Sequence, residues 1–178
     1  SVPESKFTDI TAAAGIDFSH NNGAIGDKLL PESMGNGVAF FDFDADGDQD
    51  LLFTNGTWWP WDLEKKPELK PTTAALYRND GKGAFEDVTA GSGLDVPFYG
   101  MGAAIGDVDN DGLQDVYQTA VGGNRLFRNL GNGKFAEVTA EAGVGGGEKE
   151  WSTSAAFADI DNDGDLDLFV CNYVRWSR

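Results

Sequence analysis

The sequence predicts an all-β fold built from a repeated four-stranded unit, and three observations carry that expectation. A segment recurs: Phe7-Thr-Asp-Ile-Thr-Ala-Ala-Ala-Gly15-Ile16 returns as Phe85-Glu-Asp-Val-Thr-Ala-Gly-Ser-Gly93-Leu94 and again as Phe135-Ala-Glu-Val-Thr-Ala-Glu-Ala-Gly143-Val144. Short runs rich in Val, Phe, Tyr and Leu alternate with Gly, Asn and Asp, the pattern of strands joined by tight turns. Three aspartate-rich windows, 42–50, 107–115 and 159–167, fall at one phase of the repeat.

Within each unit the order is constant. An apolar run (Gly37–Phe41, Gly102–Ile105, Ser154–Ala158) enters the acidic window, and a second (Asp50–Thr54, Asp115–Ala120, Asp167–Asn172) leaves it. A Leu-aromatic-Arg-Asn segment follows (Leu76–Asn79, Leu126–Asn129), then a turn, then Phe-x-x-Val-Thr. Asn79-Asp80-Gly81 and Asn132-Gly133 are hairpin chemistry, since Asn, Asp and Gly tolerate positive φ. The Ala-x-x-Gly stretches at 12–15, 90–93 and 140–143 read as links between units.

Four short antiparallel strands in about 50 residues make one propeller blade. The predicted fold is thus a partial β-propeller of about two and a half four-stranded blades plus one leading strand. Blade 1 covers about 36–90 with an insertion at 57–71, blade 2 about 100–140 and half of blade 3 about 152–178. The leading strand spans 6–11, and a second excursion lies near 20–34. Two and a half blades do not close a ring, so further blades or other chains are expected to cover the open strand edges.

Composition narrows the function classes. The 178 residues carry 30 acids against 13 bases, a net charge of −17, and such a surface repels rather than neutralises nucleic-acid phosphates. The apolar runs are too short for a membrane helix, so no membrane insertion is expected. The single cysteine, Cys171, excludes an internal disulfide and any cysteine-based zinc cluster. Fourteen of the 30 acids sit in the three windows, which leaves 16 acids against 13 bases elsewhere. The acidity is local.

The windows place carboxylates at positions 1, 3, 5 and 9 around a glycine at position 6: Asp42, Asp44, Asp46 and Asp50; Asp107, Asp109, Asp111 and Asp115; Asp159, Asp161, Asp163 and Asp167. Like charges this crowded repel strongly unless a cation lies among them. Oxygen ligands without His or Cys select a hard ion, and a flexible oxygen cage suits calcium better than magnesium. Position 7 ligates through its backbone carbonyl in such loops, so its side chain is free to vary. It is Asp48, Leu113 and Asp165. Position 12, where an EF-hand has its bidentate Glu, is Phe53, Gln118 and Val170, and the flanks read as strands. One aspartate cluster is readily a solvated turn. Three in phase imply about three calcium sites.

These motifs resemble the FG-GAP/VCBS repeats of integrin-α-like propellers, through units such as Gly37-Val-Ala-Phe-Phe-Asp42 to Leu51-Leu-Phe53. Phe7-x-x-Ile-Thr-x-x-x-Gly15-Ile-x-Phe18-x-His20, with Leu30-Pro-Glu-x-Met34-Gly35-x-Gly37, is similar to the cartilage acidic protein (ASPIC/UnbV-associated) group. The resemblance implies a secreted or periplasmic calcium-binding propeller that serves as an adhesion or interaction scaffold. It carries the metal ligands over to positions 1, 3, 5, 7 and 9 of each window.

Other features are weighed against blander readings. Trp58, Trp59 and Trp61 form either a platform for a glycan or protein partner or a cover for the blade's own edge. Trp151 reads as inter-blade packing just before the third blade. His20 reads as a hydrogen-bonded loop residue that orders the 20–34 excursion. Cys171 reads as a small buried apolar group. Arg78 and Arg128, at equivalent positions, read as cross-strand structural residues, and Asn55-Gly56-Thr57 is a glycosylation sequon. No phosphate loop, Ser/His/Asp arrangement or paired catalytic Glu is present, so no enzymatic activity is expected. The alternatives are a carbohydrate-binding or scaffold part of a polysaccharide-active enzyme, and a subunit of a larger extracellular or periplasmic complex.

Overall fold

The computed structural model describes residues 6–177. Three antiparallel sheets follow one another along the chain. Sheet 1 comprises β1 (Val38–Phe41), β2 (Asp50–Phe53), β3 (Ala75–Asn79) and β4 (Phe85–Asp87), and sheet 2 comprises β5 (Gly100–Gly106), β6 (Asp115–Ala120), β7 (Arg125–Asn129) and β8 (Phe135–Glu137). Sheet 3 is the pair β9 (Glu150–Ala158) and β10 (Asp167–Arg175). Each four-stranded sheet has its strands in chain order, joined by hairpins or short loops except between β2 and β3, where the 54–74 segment intervenes. The architecture is all-β and consistent with a partial propeller.

Sheet 2 lies between the other two and is covered on both faces, which is why β6 reads Val-Tyr-Gln-Thr-Ala without polar alternation and is buried throughout. Val116 and Phe127 face sheet 1 and pack with Phe41, Leu52 and Leu76, while Tyr117 and Leu126 face sheet 3 and pack with Phe157 and Leu168. Leu52, Leu76, Val116 and Phe127 are fully buried. Truncation of any one to alanine is worth about 2–5 kcal/mol.

The first strands of the sheets approach backbone to backbone. A methyl group on Gly37 would lie 3.1 Å from the Gly102 Cα, and one on Gly102 would lie 2.6 Å from the Thr153 carbonyl oxygen. Gly37 N–H donates to the Met101 carbonyl, and Thr54 Oγ1 donates to the same oxygen from the end of β2. The links between units dock in the same repeated way. Phe85 N–H donates to Ala14 O and Phe135 N–H to Ser92 O, each at 2.7 Å.

Several expectations are corrected. Residues 6–11 are not a strand: residues 6–10 lack regular structure, 11–15 form a turn, and Phe7 is 97% exposed. No described strand lies beside them to complete a ladder. The 57–71 insertion holds helix α1 (Pro60–Lys65), started by proline at its first turn, and the 20–34 excursion ends in a 3-10 turn, Leu30–Ser33. The third link is itself a short helix, α2 (Thr139–Ala142), closed by Gly143 at φ 69°. Trp151 lies inside β9 rather than before it, and is fully buried against Tyr99, Met101 and Val121. Cys171 is exposed, not buried, because alternation along β10 puts it with Phe169 on the face away from sheet 2. His20 is exposed, and its neighbours order the loop: Asn21 N–H donates to Asn55 Oδ1 and Asn22 Nδ2 to Glu32 O. Asn55 is itself buried, so the sequon is not presented at the surface. Arg178, at the end of the predicted half blade, lies outside the described residues.

The glycine contact gives a direct test. Gly102→Ala forces its methyl onto the Thr153 carbonyl and is expected to cost about 1–3 kcal/mol in urea unfolding. Gly35→Ala, where the added methyl meets nothing within 4 Å, is expected to leave the midpoint unchanged.

Candidate metal centre

The acidic windows are the β1–β2, β5–β6 and β9–β10 loops, and each folds by the same bonds. The position 1 carboxylate accepts the amides of positions 5 and 6: Asp42 from Asp46 and Gly47, Asp107 from Asp111 and Gly112, Asp159 from Asp163 and Gly164, all at 2.8–3.1 Å. The position 5 carboxylate accepts the position 7 amide at 2.9 Å in all three loops: Asp46 from Asp48, Asp111 from Leu113 and Asp163 from Asp165. Position 7 thus uses its backbone amide in all three loops, whatever its side chain. The chain reverses through left-handed residues at position 4 (Ala45, Asn110 and Asn162, φ 56–59°) and position 6 (Gly47, Gly112 and Gly164, φ 90–95°). Asn and Gly suit that region, whereas alanine there costs about 1–2 kcal/mol.

Position 9 is the buried member. Asp50 accepts Phe43 N–H at 3.1 Å and Asn79 N–H at 2.7 Å, and Asp115 likewise accepts Val108 N–H and Asn129 N–H. Asp50 and Asp115 are fully buried, whereas Asp167 is exposed and accepts only Ile160 N–H among the described contacts. The difference follows from the third strand. Asn79 and Asn129 end β3 and β7, donate their amides to position 9 and their Nδ2 groups to the position 8 carbonyls, and accept the Gly81 and Gly131 amides. The Asn of the repeated Leu-aromatic-Arg-Asn segment therefore clamps the loop. The repeat shows the residue; its role lies in contacts with residues far along the chain.

Positions 1, 3 and 9 converge. Asp42, Asp44 and Asp50 each offer a carboxylate oxygen within 4.8 Å of the others, as do Asp107, Asp109 and Asp115, and Asp159, Asp161 and Asp167. Two oxygens bound to one calcium at about 2.4 Å lie at most about 4.8 Å apart, so the spacing fits. Asp44 Oδ1 is buried and accepts no hydrogen bond, an acceptor that a cation would satisfy. The donor set is all oxygen, which suits a hard ion.

Electrostatics point the same way. Burial pushes the Asp50 carboxyl up to about 6, against the pull of the Asn79 and Phe43 amides, with Asp44 and Asp46 adding repulsion. Burial raises Asp115 likewise, and raises Asp44 together with its neighbours Asp46 and Asp42. Ionised and unneutralised, these groups are under strain; a cation reverses the sign.

Sequence reasoning missed the ties between loops. Gln114 Oε1, from the second loop, accepts Asp42 N–H at 3.0 Å, and Asn129 Nδ2 donates to Phe43 O at 2.8 Å. Asn110 Nδ2 donates to Asp165 Oδ1 of the third loop at 3.1 Å. Arg78 bridges β3 to Glu86 on β4 at 2.6 Å, and Arg128 lies 3.8 Å from Asp109.

The tryptophans sit apart from the loops. Trp59 is buried, stacked on Tyr99 at 4.5 Å, Trp176 at 4.6 Å and Trp61 at 5.3 Å, with its indole N–H donated to Glu32. It offers no free ring face. Trp58 and Trp61 are half-buried and line a cleft of about 420 Å³ with Phe98, Arg125 and Trp176.

Short antiparallel sheets in series, each with an aspartate loop between its first two strands, define a repeat protein with one candidate cation site per repeat. The chain belongs to the FG-GAP-like repeat family, which it matches over residues 69–118 and again over 107–170. It is also similar to cartilage acidic protein 1 of Mus musculus and of Xenopus tropicalis, 32% identical over 107 residues, and of Homo sapiens, 32% over 110. These alignments cover 54% of this chain and 15% of each relative, so the chain spans a small part of their length. Among the described residues, no helix is long and apolar enough to cross a membrane.

Two measurements test the centre. In chelator, the raised Asp50 carboxyl means the folded state holds more protons than the unfolded chain between about pH 4 and 6. The melting temperature of the metal-free protein is therefore expected to fall as pH rises through that window. Asp80 and Asp95, lowered by turn amides, act only below it. With a divalent cation present the trend is expected to invert, because metal and proton compete for the same oxygens. Separately, Ala45→Asn, which copies the other two loops, is expected to stabilise the protein by about 1 kcal/mol in chemical denaturation.

Proposed function

We propose that the chain is part of an extracellular, non-catalytic β-propeller scaffold whose successive blades are each locked by a calcium ion. The observation that carries the reading is the threefold recurrence of three converging carboxylates, with a buried Asp44 oxygen lacking a donor. Asp42, Asp44 and Asp50, and their equivalents Asp107, Asp109, Asp115 and Asp159, Asp161, Asp167, supply the converging oxygens. Asp46, Asp111 and Asp163 add the position 5 carboxylate, and residues 48, 113 and 165 the backbone carbonyl. The ion supplies charge neutralisation, and the chain's part is to hold the first two strands of each blade at fixed spacing. Millimolar extracellular calcium suits weak, exposed loops of this kind. The relatives' printed name, an acidic protein of cartilage, supports that setting. Rigid sheets with acidic loops at one end and an aromatic cleft at another suit adhesion or assembly with a protein partner.

The test is a thermal melt in chelator and in about 2 mM calcium. For sites with a dissociation constant of about 0.1 mM, each filled loop adds about 2 kcal/mol, and each kcal/mol moves the midpoint by about 2–4 °C. Asp115→Asn is expected to remove one site's share of that shift. Equal midpoints with and without calcium would sink the reading. A second reading, a carbohydrate-binding part of a polysaccharide-active protein, rests on the half-buried Trp58 and Trp61 at the cleft. It predicts calorimetric binding of an oligosaccharide that Trp61→Ala abolishes.

A further inference from the structure

The repeated Leu-aromatic-Arg-Asn segment puts an arginine one residue before the asparagine that clamps position 9, in both four-stranded sheets. The two arginines have different partners. Arg78 sits across the ladder from Glu86 and is paired with it at 2.6 Å. Arg128 sits across from Ala136, which has no charge to offer, and its guanidinium lies 3.8 Å from Asp109. Asp109 is the position 3 member of the converging carboxylates of the second loop. Arg78 borders the first loop too, where it lines a cavity with Asp44 and Asp46, but Glu86 offsets its charge.

A guanidinium is permanently charged, so it does not lose its proton when a cation arrives. In the empty second loop, Arg128 relieves part of the mutual repulsion of Asp107, Asp109, Asp111 and Asp115. In the filled loop it repels the ion that shares Asp109 with it. Both effects oppose binding. The Arg128 side chain is 48% exposed, so water and salt weaken the interaction without removing it. The loops also differ at position 7, where the first has a fifth carboxylate, Asp48, and the second has Leu113. The first loop thus sets five acids beside a neutralised arginine, and the second sets four acids beside an arginine with no other ion pair among the described residues.

On the calcium reading of the loops, on which this step rests, we infer that Arg128 is an affinity-setting residue: it holds the second loop at a weaker calcium affinity than the first. Adjacent blades then lock at different calcium concentrations. The residue acts through Asp109 and contributes no ligand atom of its own.

Calorimetric titration of the 178-residue chain with calcium at low salt tests this. The wild type is expected to show sites of unequal strength. Arg128→Gln is expected to tighten one of them by about threefold to tenfold, the effect of removing a unit charge beside a divalent ion at a half-exposed position. Arg128→Lys keeps the charge and is expected to stay within about twofold of wild type. Ala136→Glu copies the Glu86 pairing and is expected to tighten the same site with Arg128 in place, whereas Glu86→Gln is expected to loosen a different one. Added salt is expected to narrow the gap between Arg128→Gln and wild type. A folded Arg128→Gln chain with unchanged or weaker affinity overturns the inference and leaves the calcium reading standing. A lysine variant as tight as the glutamine one, or a single class of identical sites in the wild type, does the same. If Arg128→Gln fails to fold, Ala136→Glu decides alone. A wild-type chain that binds no calcium ends both.

Discussion

The buried position 9 carboxylate is the constraint on which the sheet architecture turns. Asp50 and Asp115 sit at the first residue of the second strand with no exposed surface. A carboxylate there is tolerated only because backbone amides from two directions satisfy it, one from its own loop and one from the end of the third strand. Burial still pushes Asp50 up to about 6, so amides alone do not compensate for lost hydration. The same residue thereby joins loop, second strand and third strand, and presents an oxygen toward positions 1 and 3. Sheet 3 shows the counterpart. Its described part has two strands, and Asp167 is exposed.

Loop and sheet packing are coupled rather than modular. Gln114 holds Asp42 by its amide, and Asn129 spans the carbonyls of Phe43 and Gln114. The first two loops are thus joined by side-chain amides in addition to the packing between their sheets. At the opposite ends of the strands, Gly37 and Gly102 let the first strands touch backbone to backbone, so the sheets are pinned close at both ends of the first strand. The apolar faces between fill with interdigitated Phe, Leu and Val.

The aromatic cluster ties the insertions of the first unit to the sheets. Stacking of Trp59 on Tyr99, Trp61 and Trp176 joins helix α1, the start of β5 and the segment after β10. Glu32 anchors it from the 3-10 turn, accepting Trp59 Nε1–H and Leu29 N–H. The two insertions of the first unit therefore pack on each other and on the start of the second and third sheets, leaving Trp58 and Trp61 at the cleft.

Much of this was written in local patterns. The all-β class, the strand order within a unit, the three loops and the repeated turns follow from spacing, since hairpins and nine-residue loops depend on near neighbours in sequence. Contacts between residues far apart along the chain were not legible there. Nothing in the first acidic window itself shows that Asp50 is buried under Asn79, a residue of the third strand. Residues 6–11 have a strand's pattern yet no described strand beside them, and Cys171 has a core residue's neighbours yet faces outward. A strand exists only where another chain segment meets its amides, and a side chain is buried only where a second layer covers it. Both conditions belong to the assembled fold.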